Sequence, residues 1–109
     1  MRSAIIAAII AASAAPAFAA NVRVEHVPIK PPPPKYARGA YLVAPVVHLV
    51  DDVDATCQAL APQPIPYSGC SVAKTGDVYL PPNDKSDWWQ ELRAHELAHL
   101  RGWSADHRH

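Results

Sequence analysis

The stretch from Asp84 to His107, DKSDWWQELRAHELAHLRGWSADH, holds the longest run in the chain with a helical pattern. Asp84 to Arg101 passes without glycine or proline, and Gly102 follows as a helix-ending glycine should. Asp84 or Asn83 is placed to cap the helix, and Asp87 adds negative charge to its first turn. Trp88, Trp89, Leu92, Ala94, Leu97, Ala98 and Leu100 lie around most of the circumference. A helix apolar on so many sides is expected to be buried on most of them.

Within that helix His95 and His99 are four residues apart and share a face. Two imidazoles so placed can reach one ion. Zinc takes imidazole nitrogens at about 2.0–2.1 Å, and a catalytic zinc keeps three protein ligands and one open position. Glu96 points about 100° from His95, by the 3.6-residue helical period. That direction puts its carboxylate beside the ion rather than on it, where it can accept and return a proton. At this chain's histidine and glutamate frequencies, H-E-x-x-H arises by accident in about one such chain in a hundred. The plainer alternative is a pair of surface histidines with Glu96 making ordinary helix contacts. Against it stands the cost of burying three ionisable groups on an apolar helix with no ion to satisfy them.

Working outward, residues 1–20, MRSAIIAAIIAASAAPAFAA, carry one early charge, an apolar run and the Ala17-Phe18-Ala19 cleavage pattern. They read as a secretory signal peptide, with an uncleaved anchor as the alternative. Removing Arg2 leaves nine Lys/Arg against ten Asp/Glu, so no basic stripe points to nucleic acid or a membrane surface. The mature chain, about 90 residues, supports one domain with too small a core to be comfortable without a staple. Cys57 and Cys70 in an exported chain read as a disulfide. Closing that loop is worth roughly 3 kcal/mol. Metal ligation by the two cysteines is the alternative, and their spacing does not favour it.

Residues 21–39, with four consecutive prolines after Lys30, read as a polyproline tail or linker, or alternatively a recognition ligand. A folded part over residues 40–109 is expected. Val46–Val50 is a strand candidate carrying His48. A short helix should start near Asp52 or Asp54 and stop by Pro62. Cys70–Ala73 and Asp77–Leu80 form a candidate hairpin turning at Gly76. The expected class is α+β: a few-stranded small sheet, a C-terminal site helix and one disulfide.

The segment HELAHLRG resembles the active-site helix of zincin metallopeptidases, and Gly102 makes it similar to the metzincin branch. The match covers about a dozen residues. His95–His107 also resembles small exported bacterial proteins ending in HELAH-x-x-GW-x-x-DH, a group without an established activity. The resemblance implies a minimal zincin-like domain with one zinc per chain on His95 and His99. It implies peptide hydrolysis by zinc-activated water with Glu96 as general base. It also implies an edge strand before the helix, Val78–Leu80, that aligns an extended peptide or protein substrate. The metzincin third ligand falls three residues after the glycine, where this chain has Ala105. His107 is therefore the favoured third ligand, with Asp106 as the alternative or as a partner orienting an imidazole. His26, His48 and His109 are weaker candidates. Tyr67 and Tyr79 could donate to a developing oxyanion. So few residues after Gly102 leave the cleft open, or completed by a second copy or partner. The resulting expectation is an exported, periplasmic or extracellular zinc metallopeptidase. A non-catalytic zinc-binding or disulfide-stapled interaction module of the cell envelope is the alternative.

Overall fold

The computed structural model describes residues 25–108. The expected signal peptide and His109 lie outside the described residues. The architecture is α+β: two helices and a three-stranded mixed sheet, with one disulfide. In chain order a 3-10 turn at Pro34–Tyr36 precedes β1 (Val46–Leu49), α1 (Val53–Leu60), β2 (Cys70–Val72), β3 (Asp77–Leu80) and α2 (Asp87–His99).

The sheet order is β1-β3-β2. β1 runs parallel to β3 with Val46 opposite Asp77 and Leu49 opposite Leu80. β2 runs antiparallel to β3 with Cys70 opposite Tyr79. This corrects the expected edge position of Val78–Leu80, because β3 is the middle strand and its backbone is engaged on both sides. The edges are β1 and β2. Alternate residues of β3 face opposite sides of the sheet, so Val78 and Leu80 are buried while Asp77 and Tyr79 are half-buried.

The hairpin turns at Gly76, whose φ is +87°. A Cβ there would lie 2.2 Å from the Ala44 carbonyl oxygen, so only glycine fits beside the strand entering β1. Asp52 caps α1 by accepting from Ala55 N, as the sequence suggested. α1 is stapled to β2 by Cys57–Cys70, whose Cα atoms are 6.0 Å apart. Ser86, not Asp84 or Asn83, caps α2 by accepting from Trp89 N. Asp84 instead accepts from Ser86 N and Oγ, and Asn83 from Lys85 N. Both build the turn that delivers Ser86 to the cap.

α2 is not buried all round. Trp89, Leu92, Glu96, Leu97 and Ala98 are buried, whereas Gln90, Glu91, Arg93 and Ala94 are exposed. The buried stripe packs on Val78 and Leu80, with Leu100 closing the core. His95 and His99 flank it, half-buried. Gly102 ends the helical run at φ +105°.

The described part of the Pro-rich segment lies against the fold. Ile29 packs on the core and Pro33 is buried. Trp88 Nε1 donates to the Val27 carbonyl at 2.6 Å. Arg101 donates to the carbonyls of Gly39 and Tyr36, and Leu42 N donates to Leu100 O. Among the described residues no helix is long and apolar enough to cross a membrane.

Candidate metal centre

α2 places His95 and His99 one turn apart, their rings 5.2 Å between centroids. After Gly102 the chain folds back, and Trp103 N donates to Ala98 O. His107 returns over the two helical histidines with a backbone φ of +59°. Its Nε2 lies 3.1 Å from His95 Nε2 and 3.1 Å from His99 Nε2.

The remaining nitrogens settle the tautomers. His95 Nδ1 is 2.7 Å from the Lys30 carbonyl, and His99 Nδ1 is 2.9 Å from the Trp103 carbonyl. A carbonyl only accepts, so each Nδ1 must carry the hydrogen and donate it. In the neutral ring each Nε2 then presents a bare lone pair. Burial pulls all three imidazoles below their ordinary pKa, which favours that neutral form. For His95 the neighbouring imidazoles act in the same direction, and for His107 so do His99 and Lys30, against a smaller opposing pull from Asp106. His107 can supply at most one Nε2 hydrogen to its two neighbours. Three converging lone pairs with one proton among them are poorly satisfied as protein alone. Their ligand atoms lie within 4.8 Å of one another, and the three histidines could hold a metal ion.

Glu96 is buried and lines the same cavity of about 550 Å³ as the three histidines. Ser71 Oγ, on β2, donates to Glu96 Oε1 at 3.1 Å. Burial pushes the Glu96 carboxyl from 4.5 up to about 7, against the smaller opposing pull of that hydroxyl. The helical period thus separates two roles on adjacent residues: His95 in the imidazole cluster, Glu96 as a buried carboxyl poised to titrate near neutrality.

The other candidates are turned elsewhere. Asp106 accepts from Ser104 Oγ and pairs with Arg108 Nε at 2.8 Å, outside the imidazole cluster. His48 pairs with Asp77 at 2.9 Å on the sheet, and His26 with Asp84 at 2.7 Å. Tyr67 Oη donates to the Ala61 carbonyl, and Tyr79 stacks on His48.

Three contributors escaped the sequence reading. Trp103 is buried beneath the cluster, stacked on His99 and edge-on to His95 and His107, with ring centroids 4.9–5.0 Å away. Its Nε1 also donates to Arg108 O at 2.7 Å and so pins the returning segment. Lys30 contributes a carbonyl to His95 and Nζ to the His107 carbonyl, the latter at 2.7 Å. Ser71 addresses Glu96. Of these only Trp103 left a local signal, a large aromatic directly after the glycine that ends the helix.

No protein-family model, curated protein or solved structure matches this chain.

Proposed function

We propose that the chain is an exported zinc metallopeptidase that hydrolyses peptide bonds, with His95, His99 and His107 as ligands and Glu96 as general base. The observation that carries this reading is the meeting of three Nε2 atoms, two of them stripped of hydrogen by their carbonyl partners. Two nitrogens on a tetrahedral zinc lie about 3.4 Å apart, given bonds of about 2.0–2.1 Å. The 3.1 Å separations here are near that value. Zinc in this position would supply Lewis acidity toward a peptide carbonyl and toward water.

The chain's own residues then divide the work. Ser71 occupies Glu96 Oε1, leaving Oε2 to take a proton from the attacking water and return it to the leaving amine. Burial alone raises the proton affinity of this carboxyl, which favours its accepting a proton from water. With β3 in the middle of the sheet, the strand offered to substrate is β2. Gly69, Cys70 and Ser71 line the cavity beside Glu96, and an extended peptide would pair along that edge. The disulfide fits an exported protein, which supports a periplasmic or extracellular location.

A second reading, a metal-binding module without turnover, is favoured by the tyrosine hydroxyls: Tyr67 lines the cavity but spends its hydroxyl hydrogen on the Ala61 carbonyl, and Tyr79 is stacked on His48. One experiment divides the two. Protein purified without a histidine tag should carry about one zinc per chain, and Glu96→Gln should keep that zinc while losing cleavage of a broad peptide library. Wild-type protein that binds zinc and cleaves nothing would favour the module. Protein without zinc would sink both readings.

A further inference from the structure

We infer that the Pro-rich segment is a built part of the metal centre and that Lys30 is its positioning residue. Lys30 ties His95 to His107 across the cavity. The inference deepens the metal reading above and rests on it.

The Pro33 and Pro34 carbonyls close the 3-10 turn, while the extended backbone ahead of it makes no such bonds at Val27 and Lys30, whose carbonyls serve Trp88 and His95. Proline also fixes φ in advance, which lowers the entropy lost when such a strap is laid down. This strap is held at both ends of α2. Upstream, His26 stacks on Trp88 at 4.4 Å and pairs with Asp84, while Trp88 Nε1 holds the Val27 carbonyl. Downstream, Arg101 holds the carbonyls of Tyr36 and Gly39. Between these anchors Pro28, Ile29 and Lys30 form a wall of the same cavity that Glu96 and the three histidines line. The strap thus walls one side of that cavity.

Lys30 acts on two ligands at once. Its carbonyl fixes the hydrogen of His95 on Nδ1 and so leaves Nε2 free to ligate. Its Nζ donates to the carbonyl of His107, which sits at φ +59°, a conformation non-glycine residues seldom adopt. A backbone held there needs outside support. Lys30 supplies it at residue 107, and Trp103 Nε1 supplies it one residue on.

The test compares wild type, Lys30→Met and Lys30→Arg in the chain with its Pro-rich segment intact. Zinc affinity is read by competition with a chromogenic chelator, and thermal unfolding is read with chelator present. Lys30→Met should weaken zinc on the order of tenfold with the unfolding midpoint nearly unchanged, and Lys30→Arg should recover most of the loss. Wild-type affinity in Lys30→Met would overturn the inference and leave the metal reading standing. A wild type that binds no zinc would instead overturn the metal reading, and this inference with it. Should Lys30→Met fail to fold, the imidazole nitrogen spectrum of metal-free wild type decides. His95 is expected as the Nδ1–H tautomer, and an Nε2–H tautomer overturns the assignment.

Discussion

Histidine does two different jobs in this molecule. On the sheet, His48 meets Asp77 at 2.9 Å, and Thr75 Oγ1 donates to the same carboxylate. There a ring nitrogen has a carboxylate to bond, and the pair is complete. Beside α2, two rings spend their Nδ1 hydrogens on backbone carbonyls and turn their other nitrogens toward His107. What differs is the partner: a side-chain anion completes one group, whereas carbonyls leave the other short of positive charge. The contrast teaches that a histidine cluster is read as a ligand set from what its outward nitrogens are doing.

The sharpest break of that contrast is His99→Ala or His107→Ala. Each should lower zinc affinity by more than the roughly 10–100-fold that loss of an outer partner costs, measured by chelator competition. Metal content unchanged in both variants would remove the distinction between the two histidine groups.

Next in size is the pH dependence that Glu96 adds to the cluster side. Its folded pKa of about 7 lies above its ordinary 4.5, so between those values the native state keeps a proton that the unfolded state has lost. Stability from this group is therefore full below about 4.5 and lost as pH rises toward 7. The size is about 3 kcal/mol. The imidazoles slope the other way, because their lowered pKa values leave the unfolded state the better proton binder. Subtracting the Glu96→Gln denaturation profile from wild type, with chelator present, isolates the carboxyl. A flat difference between pH 4 and 8 would contradict its burial.

Asp106→Asn probes an acid adjacent in sequence to His107 but turned toward Ser104 and Arg108. Zinc affinity should change by no more than about threefold, the scale of an exposed charge. A loss as large as that of His107→Ala would make Asp106 the ligand. Smallest of all, His48→Ala should leave zinc content untouched. Asp77→Asn should remove only an acid-side effect. Hydrogen bonds from His48 and Thr75 hold the Asp77 carboxyl below 3.8, so its contribution is present above that pH and lost as pH falls below it. Urea titrations in the acid range read this directly.

Much of the fold could be read from local pattern. The alternation in Asp77–Leu80, the Asp52 cap and the Gly76 turn each have a local cause, and each stands where the sequence put it. The position of β3 did not, because a four-residue strand with two buried side chains reads the same at an edge as in the middle. The cap of α2 fell to Ser86 because three residues within one turn, Asn83, Asp84 and Ser86, can each accept from a backbone N–H nearby. In the site, His95, Glu96 and His99 were legible because helical spacing fixes their geometry in advance. Two of the parts that were not legible, at Lys30 and Trp103, act on the imidazoles through carbonyls, whose positions no side chain announces. The Lys30 carbonyl reaches His95 across 65 residues of sequence. The segment around the four prolines looks like a spacer until the carbonyls of Val27, Lys30, Tyr36 and Gly39 are seen to accept from the rest of the fold.

That separation has a consequence in time. His107 reaches back only 8 residues to His99 and 12 to His95. Loops of about ten residues close in roughly 10–100 ns, far ahead of a sheet that joins distant strands. A cation would thus find its imidazoles together early, on a hairpin-like fragment of chain, while the strap could seat only after α2 had docked. Zinc added at the start of refolding should then speed the first kinetic phase and leave the last one, the seating of residues 26–42, at its own rate. A last phase that accelerates in step with zinc concentration would reverse that order of assembly.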